Sequence, residues 1–209
     1  MKKIALIVEG KGDVKSIPSL IAKSAAAFGL QLVASDPPIR AGEAKKLRRT
    51  GELERYLRLA ATRDEAEEII LVVDLDDGCA KEFADEFNGR AKPIADETGK
   101  SIHICFCIRE YEAWLLGELA SIAQALPEYG IAPGSVIENH SSIRGAKERL
   151  SKACTSKKYR QIRDQLLFTQ KINVHKLGLV DRSFRKLLKS ITSLSYSDIV
   201  EACDGHLQA

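Results

Sequence analysis

The sequence predicts an α/β protein: a parallel four-stranded sheet flanked by helices, continued by a helical and basic C-terminal extension. Three observations carry this expectation. Short apolar runs alternate with stretches of helical periodicity through the first 125 residues, a pattern that builds parallel sheets through right-handed crossovers. The runs are continuously apolar, which suits strands covered on both faces. Beyond residue 125 the pattern changes to helices alone, and the charge balance turns from acidic to basic.

Residues 4–8 read as the first strand. A helix follows over 13–28, with Ile17, Leu20, Ile21 and Ala25 at helical spacing and Gly29 as its stop. Residues 30–34 form a second, weaker strand, closed by Asp36-Pro37-Pro38. The stretch 43–63 is helical, interrupted at Thr50-Gly51, and carries Lys45, Lys46, Arg48, Arg49, Arg55 and Arg58. Residues 69–73 are the third strand and the most buried in pattern. Residues 80–88 read as helix, with a loop or further turn around Lys92-Pro93. A fourth strand over 102–108 leads to a fourth helix over 112–125. Pro127, Gly130, Pro133 and Gly134 then punctuate a loop. Helices over 143–153, 158–168 and 181–191 follow, with a last short one over 197–203. The tail has too few large apolar residues for a core of its own. The expected organisation is therefore an α/β domain over 1–125 and a basic helical extension over 126–209 packed on it.

At 209 residues, 44% hydrophobic and 29% charged, the chain has the composition of an ordinary globule, which excludes disordered and fibrous classes. Met1-Lys2-Lys3 before an apolar stretch imitates a secretory signal, but the stretch ends after Val8, too short for an h-region. No run approaches transmembrane length, so a cytoplasmic protein without a membrane partner is expected. The cysteines Cys79, Cys105, Cys107, Cys154 and Cys203 form no C-x-x-C pair and read as small core residues kept as thiols. Residues 140–190 hold 14 lysines and arginines against only Glu148, Asp164 and Asp181. A basic segment attached to an acid-bearing domain suggests a polyanion binder, with solvated helical faces as the bland alternative.

The strongest chemical signal is acidic. The first strand runs directly into Glu9-Gly10 and the third into Asp74-Leu75-Asp76-Asp77-Gly78. Ligand sites in open α/β sheets lie outside the carboxyl ends of the strands. If these strands are parallel neighbours, Glu9, Asp74 and Asp76 converge on one rim. Carboxylate oxygens without His or Cys suit Mg²⁺ or Mn²⁺, ions that share their shell with water and substrate phosphates. Asp13 either caps the first helix or joins the site. Asp77 is a further candidate ligand, or with Gly78 simply the turn that ends the strand.

Strand-Glu-Gly with a nearby Asp, then strand-Asp-x-Asp one βα unit later, resembles the Toprim domain over roughly residues 2–108. That domain occurs in topoisomerases, bacterial primases, OLD-type nucleases and a small ribosomal-RNA maturase. Arg109-Glu110-Tyr111-Glu112-Ala113-Trp114-Leu115-Leu116 and Arg182-Ser183-Phe184-Arg185-Lys186-Leu187-Leu188 look like an uncharacterised family of small Toprim proteins. These resemble accessory nucleases of phage-defence systems, often encoded beside an ATPase. The resemblance implies a Toprim-like, Rossmann-like sheet and Mg²⁺-dependent phosphodiester chemistry. It implies Glu9 as general acid/base or ligand, and Asp74 and Asp76 as the metal pair. Glu112 is either a further rim acid or a first-turn helix acid favoured by the macrodipole. Trp114 reads as a core anchor in preference to a base-stacking platform.

Mechanistically, the metal would offset charge on the reacting phosphate, and Glu9 would bind it or move a proton. Lys147, Arg149 and Lys152 are expected to steady the scissile phosphate, with Arg160, Arg163, Arg182 and Arg185 on the flanking backbone. Nucleic acid and a neighbouring ATPase are the expected partners, and a homodimer is compatible. Two other readings stay open: a Toprim fold that binds nucleic acid or an ATPase without catalysis, and a phosphatase of haloacid-dehalogenase type suggested by Asp74-Leu75-Asp76. The latter motif ordinarily continues Gly-Thr, where this chain has Asp77-Gly78. Gly10-Lys11-Gly12 is a weak dinucleotide signal, since Lys15 replaces the third glycine. The four histidines fall in no ligand spacing, and His175 reads as a surface residue.

Overall fold

The computed structural model describes residues 2–208 and divides into two compact units, Met1–Phe106 and Cys107–Ala209. The sequence reading drew its boundary at residue 125; here the division falls within the last strand.

The first unit is a parallel α/β layer. Its elements run β1 (Lys2–Val8), α1 (Asp13–Ala27), β2 (Leu32–Ala34), β3 (Ile39–Arg40), α2 (Ala44–Leu47), α3 (Glu52–Ala61), β4 (Glu68–Leu75), α4 (Ala80–Thr98) and β5 (Ser101–Ile108). The sheet order is β2-β1-β4-β5, with β3 also pairing to β1. β1 is parallel to β4, in a register that sets Val8 opposite Val72. Ile4 to Val8 and Ile69 to Val73 are fully buried, as continuous apolar runs require when helices cover both faces.

β2 and β3 share one edge of β1, pairing at Lys2–Ile4 and at Ile7–Val8 respectively. Pro37 and Pro38 stand between them and carry no N–H for the ladder, which is why this edge is two short pieces. The second piece, β3, was not expected, because two residues make no periodic signal.

The loop expected around Lys92-Pro93 is absent; α4 continues through Pro93 to Thr98. Its buried residues Phe83, Phe87, Ala91 and Ile94 form one continuous stripe. Phe83 and Phe87 cluster with Phe106 at ring centroid distances of 5.6–6.1 Å. Burying each such ring contributes about 1.5–3 kcal/mol, enough together to outweigh the roughly 3 kcal/mol cost of an interior proline. Arg90, on the same helix, forks onto Glu54 of α3 and also donates to the Arg48 and Arg49 carbonyls. Helix α4 is thereby tied to α3 and to the end of α2.

The second unit is helical. It contains α5 (Tyr111–Gly117), α6 (Leu119–Ala125), α7 (Ala146–Ala153), α8 (Gln161–Thr169), α9 (Val174–Val180), α10 (Arg182–Thr192) and α11 (Tyr196–Gln208), with short 3-10 turns at Pro127–Tyr129 and His140–Ser142. The helix expected over 112–125 is broken at Glu118, whose buried carboxylate accepts from Ser121 Oγ and from the Asn173 amide. Helix α9, to which the sequence reading assigned no element, starts at Asn173, whose side chain accepts from the Lys176 amide. Trp114 is a core anchor as expected: it is buried, packs edge-on to Tyr111 and Phe184, and donates to Ser183 Oγ. Cys105, Cys107, Cys154 and Cys203 are buried thiols, whereas Cys79, at the loop before α4, is exposed. Among the described residues no helix is long and apolar enough to cross a membrane.

Candidate functional site

From β1 the chain first builds β2 and β3 on one side, then crosses to place β4 on the other. The reversal makes the carboxyl ends of β1 and β4 the switch point of the sheet, where open α/β folds place their ligands. Both sequence-predicted acidic segments end there. Glu9 follows Val8 directly and reaches across to β4, where its carboxylate accepts from the Asp74 amide at 2.9 Å. Asp74 is half-buried within β4, and Asp76 is exposed one residue past the strand. Asp77 lies in the bend that follows. Gly78 closes the bend at φ 107°, where a Cβ would stand 2.8 Å from the Phe83 ring.

Asp13 is buried, and of the two roles open to it in the sequence it does not take the cap of α1; Gly12 holds that position. The Asp13 carboxylate instead turns back and accepts from the Gly10 amide at 2.8 Å, closing the turn after Glu9. A third segment reaches the same rim. The Ala41 amide donates to the Val8 carbonyl and the Gly42 amide to the Glu9 carbonyl, which carries Glu43 to the end of β1.

The electrostatic result is a carboxyl group out of its ordinary range. Burial, with repulsion from Asp13, Asp76 and Glu43, pushes Glu9 up to about 7, although the Asp74 amide acts against the rise. Glu43 was missed at the sequence level, where it read as the start of a helix. Its signal is faint: a Gly-Glu pair after a strand of two residues. Among the described residues no group of three or more His, Cys, Asp or Glu side chains is close enough to hold a metal ion by itself.

The remaining candidates belong to the second unit. Glu112 is fully buried, and its carboxylate accepts from the Tyr159 hydroxyl at 2.9 Å. Burial and the charge of Glu112 push that tyrosine far up. Lys147, Arg149 and Lys152 lie exposed on α7, Arg160 is exposed just before α8, and Arg182 begins α10 in solvent. Two arginines are committed to the protein's own groups. Arg163 forks onto Asp164 and donates to the Lys158 carbonyl, while Arg185 donates to the Gly178 and Leu179 carbonyls at the end of α9. His175 is buried rather than superficial, stacked on His206 with centroids 3.9 Å apart.

Fold and rim together define an α/β protein whose parallel sheet presents carboxylates where its two central strands end. Within that class the chain matches, over residues 8–192, the family described as Domain of unknown function (DUF4276), and it belongs to that family. Neither the curated proteins nor the solved structures give a significant match.

Proposed function

We propose that the protein performs divalent-metal-dependent phosphodiester chemistry on nucleic acid, as a nuclease or the nuclease subunit of a defence-type complex, through a Toprim-like rim of Glu9, Asp74 and Asp76. The observation that carries this reading is Glu9: a carboxyl group at the sheet switch point, shifted to about 7 by burial and by other acids. Strongly perturbed groups cluster at functional sites, where burial and like charges are arranged to shift them.

The rim offers carboxylate oxygens only, which fits Mg²⁺ or Mn²⁺. Such ions bind through one or two carboxylates and complete their shell with water and substrate phosphate, so no closed protein cage is required. Asp74 and Asp76 are the residues that would hold the ion. When bound, it would supply positive charge against the phosphate and orient the reacting oxygens. Glu9, whose carboxyl the metal-free rim pushes up to about 7, is the group that would join the ion's shell or exchange a proton with the reacting oxygens. Gly10, held by Asp13, keeps the Glu9 turn in place.

The test is cleavage of labelled plasmid, single-stranded DNA and RNA with Mg²⁺ and with Mn²⁺, beside a variant carrying Asp74→Asn and Asp76→Asn. Metal-dependent cleavage that disappears in the variant supports the reading. No cleavage of any of the three by the parent protein counts against it. A second reading, a binding module without catalysis and with an ATPase as partner, draws on the exposed bases of α7, which require no metal.

A further inference from the structure

About half of the basic residues of the first unit pair with acids. Lys46 and Arg55 pair with Glu52, Arg48 with Glu86, Arg58 with Glu97 and Arg90 with Glu54. Residues 147–160 of the second unit are built differently. They carry Lys147, Arg149, Lys152, Lys157, Lys158 and Arg160 against one acid, Glu148. Lys147, Arg149, Lys152, Lys158 and Arg160 are exposed and enter no ion pair among the described residues. Lys157 is exposed too, with its ammonium 4.5 Å from the centre of the Tyr129 ring. Helix α7 buries Ala146 and Leu150, and so turns Lys147, Arg149 and Lys152 to solvent. The bases repel one another with little acid to offset them, a cost that a polyanion would remove.

We infer that this face, α7 with the loop leading to α8, is a docking surface for the phosphate backbone of a nucleic acid, bound without regard to base sequence. The inference rests on the substrate class proposed above and adds where that substrate is gripped. Lys147 and Lys152 are separated by roughly 7.5 Å of helix axis at about 1.5 Å per residue. Duplex DNA carries one charge per roughly 1.7 Å, so several phosphates fall within reach of the strip. An anionic lipid surface fits less well, because interfacial binding needs apolar side chains among the bases. The described large apolar side chain standing in solvent here is Ile162 alone, at 77% exposure on α8. Arg163 and Arg185 do not belong to the surface, since their guanidinium groups already bond Asp164 and the end of α9.

The experiment is fluorescence anisotropy with labelled single-stranded and duplex DNA of mixed sequence, in EDTA, over a series of salt concentrations. One variant carries Lys147→Ala, Arg149→Ala and Lys152→Ala; a second carries Lys157→Ala, Lys158→Ala and Arg160→Ala. A control removes two ion-paired bases, Lys81→Ala and Lys92→Ala. Circular dichroism confirms that each remains folded. Each triple variant is expected to bind about tenfold or more weakly near 0.1 M salt. Its slope of log affinity against log salt should fall by about 2–3, since each phosphate that the protein neutralises adds roughly 0.7–0.9 to that slope. The control should bind like the parent. Affinity and slope equal to the parent's in both triple variants would overturn the inference, as would a parent protein that binds neither DNA. Because EDTA removes the metal, weakened binding by the variants supports the surface even where no cleavage is found. Cleavage by variants with undiminished binding overturns the surface and leaves the rim standing.

Discussion

The two units bury acids with opposite results. In the helical unit Asp164 and Asp181 are almost wholly buried, yet both stay charged below their ordinary range. Burial alone would push Asp164 up, but bonds from Arg163, the Arg160 amide and Tyr129 outweigh it. For Asp181 burial is likewise overcome, by His140, Ser183 and the Phe184 amide. Glu9, at the rim of the sheet, is less deeply buried but has one amide donor and three acids acting on it, and it rises to about 7. Burial has the same sign in both places, so the partners decide. The partnered acids of the helical unit are held charged, whereas the under-partnered Glu9 is pushed up by its burial and its acidic neighbours.

The contrast breaks most visibly if charge is removed on each side in turn. Asp74→Asn with Asp76→Asn should lower metal-dependent cleavage roughly a hundredfold or more, the scale of several kcal/mol of forfeited charge stabilisation. The thermal midpoint of that variant should fall little, because both side chains reach solvent at the rim. Asp181→Ala should behave in the reverse way. It removes the α10 cap together with the bonds from His140 and Ser183, for a loss of about 2–4 kcal/mol in urea unfolding. An unchanged urea midpoint would show that the helical unit does not depend on its buried acids.

Gly78→Ala probes the bend that presents Asp76 and Asp77. The positive φ and the 2.8 Å approach to Phe83 predict a loss of about 1–3 kcal/mol, read as a lower unfolding midpoint. The effects most gradual across conditions are in pH dependence, where the two acid groups have opposite signs. The folded state binds a proton at Glu9 up to about 7, while the unfolded chain releases it near 4.5. Stability attributable to Glu9 therefore falls as pH rises from 4.5 to 7, by less than about 1.4 kcal/mol per pH unit. Glu9→Gln should flatten that slope in unfolding curves taken across this window. Asp164 and Asp181 act the other way: their contribution is present above about 3.8 and is lost as pH falls below it. A parent protein with no slope between 4.5 and 7 would remove the contrast.

Much of the rim was legible because strand ends are punctuated. Continuous apolar runs stopping at Glu9 and at Asp74 located both segments, and parallel pairing of β1 with β4 brings them together. Glu43 was not legible, since β3 reaches the rim through two residues of edge pairing. Nor was the length of α4: Pro93 argues locally for a stop, and only the Phe83–Phe87–Phe106 cluster overrides it. Arg163 and Arg185 read as nucleic-acid contacts, because charge counting does not see that a carboxylate of α8 and carbonyls at the end of α9 engage them.

The sequence by itself determined the α/β class, the order of the main strands and the two acidic strand ends, because each depends on near neighbours along the chain. The tertiary structure alone decided which acids would be neutralised and which left under-partnered. Tyr129 and His140 satisfy buried carboxylates only once segments distant in sequence have packed, and Glu9 meets Asp76 and Glu43 only once the sheet has formed. A carboxylate's charge state depends on everything within a few ångströms of it, and those neighbours are chosen by the fold rather than by the chain.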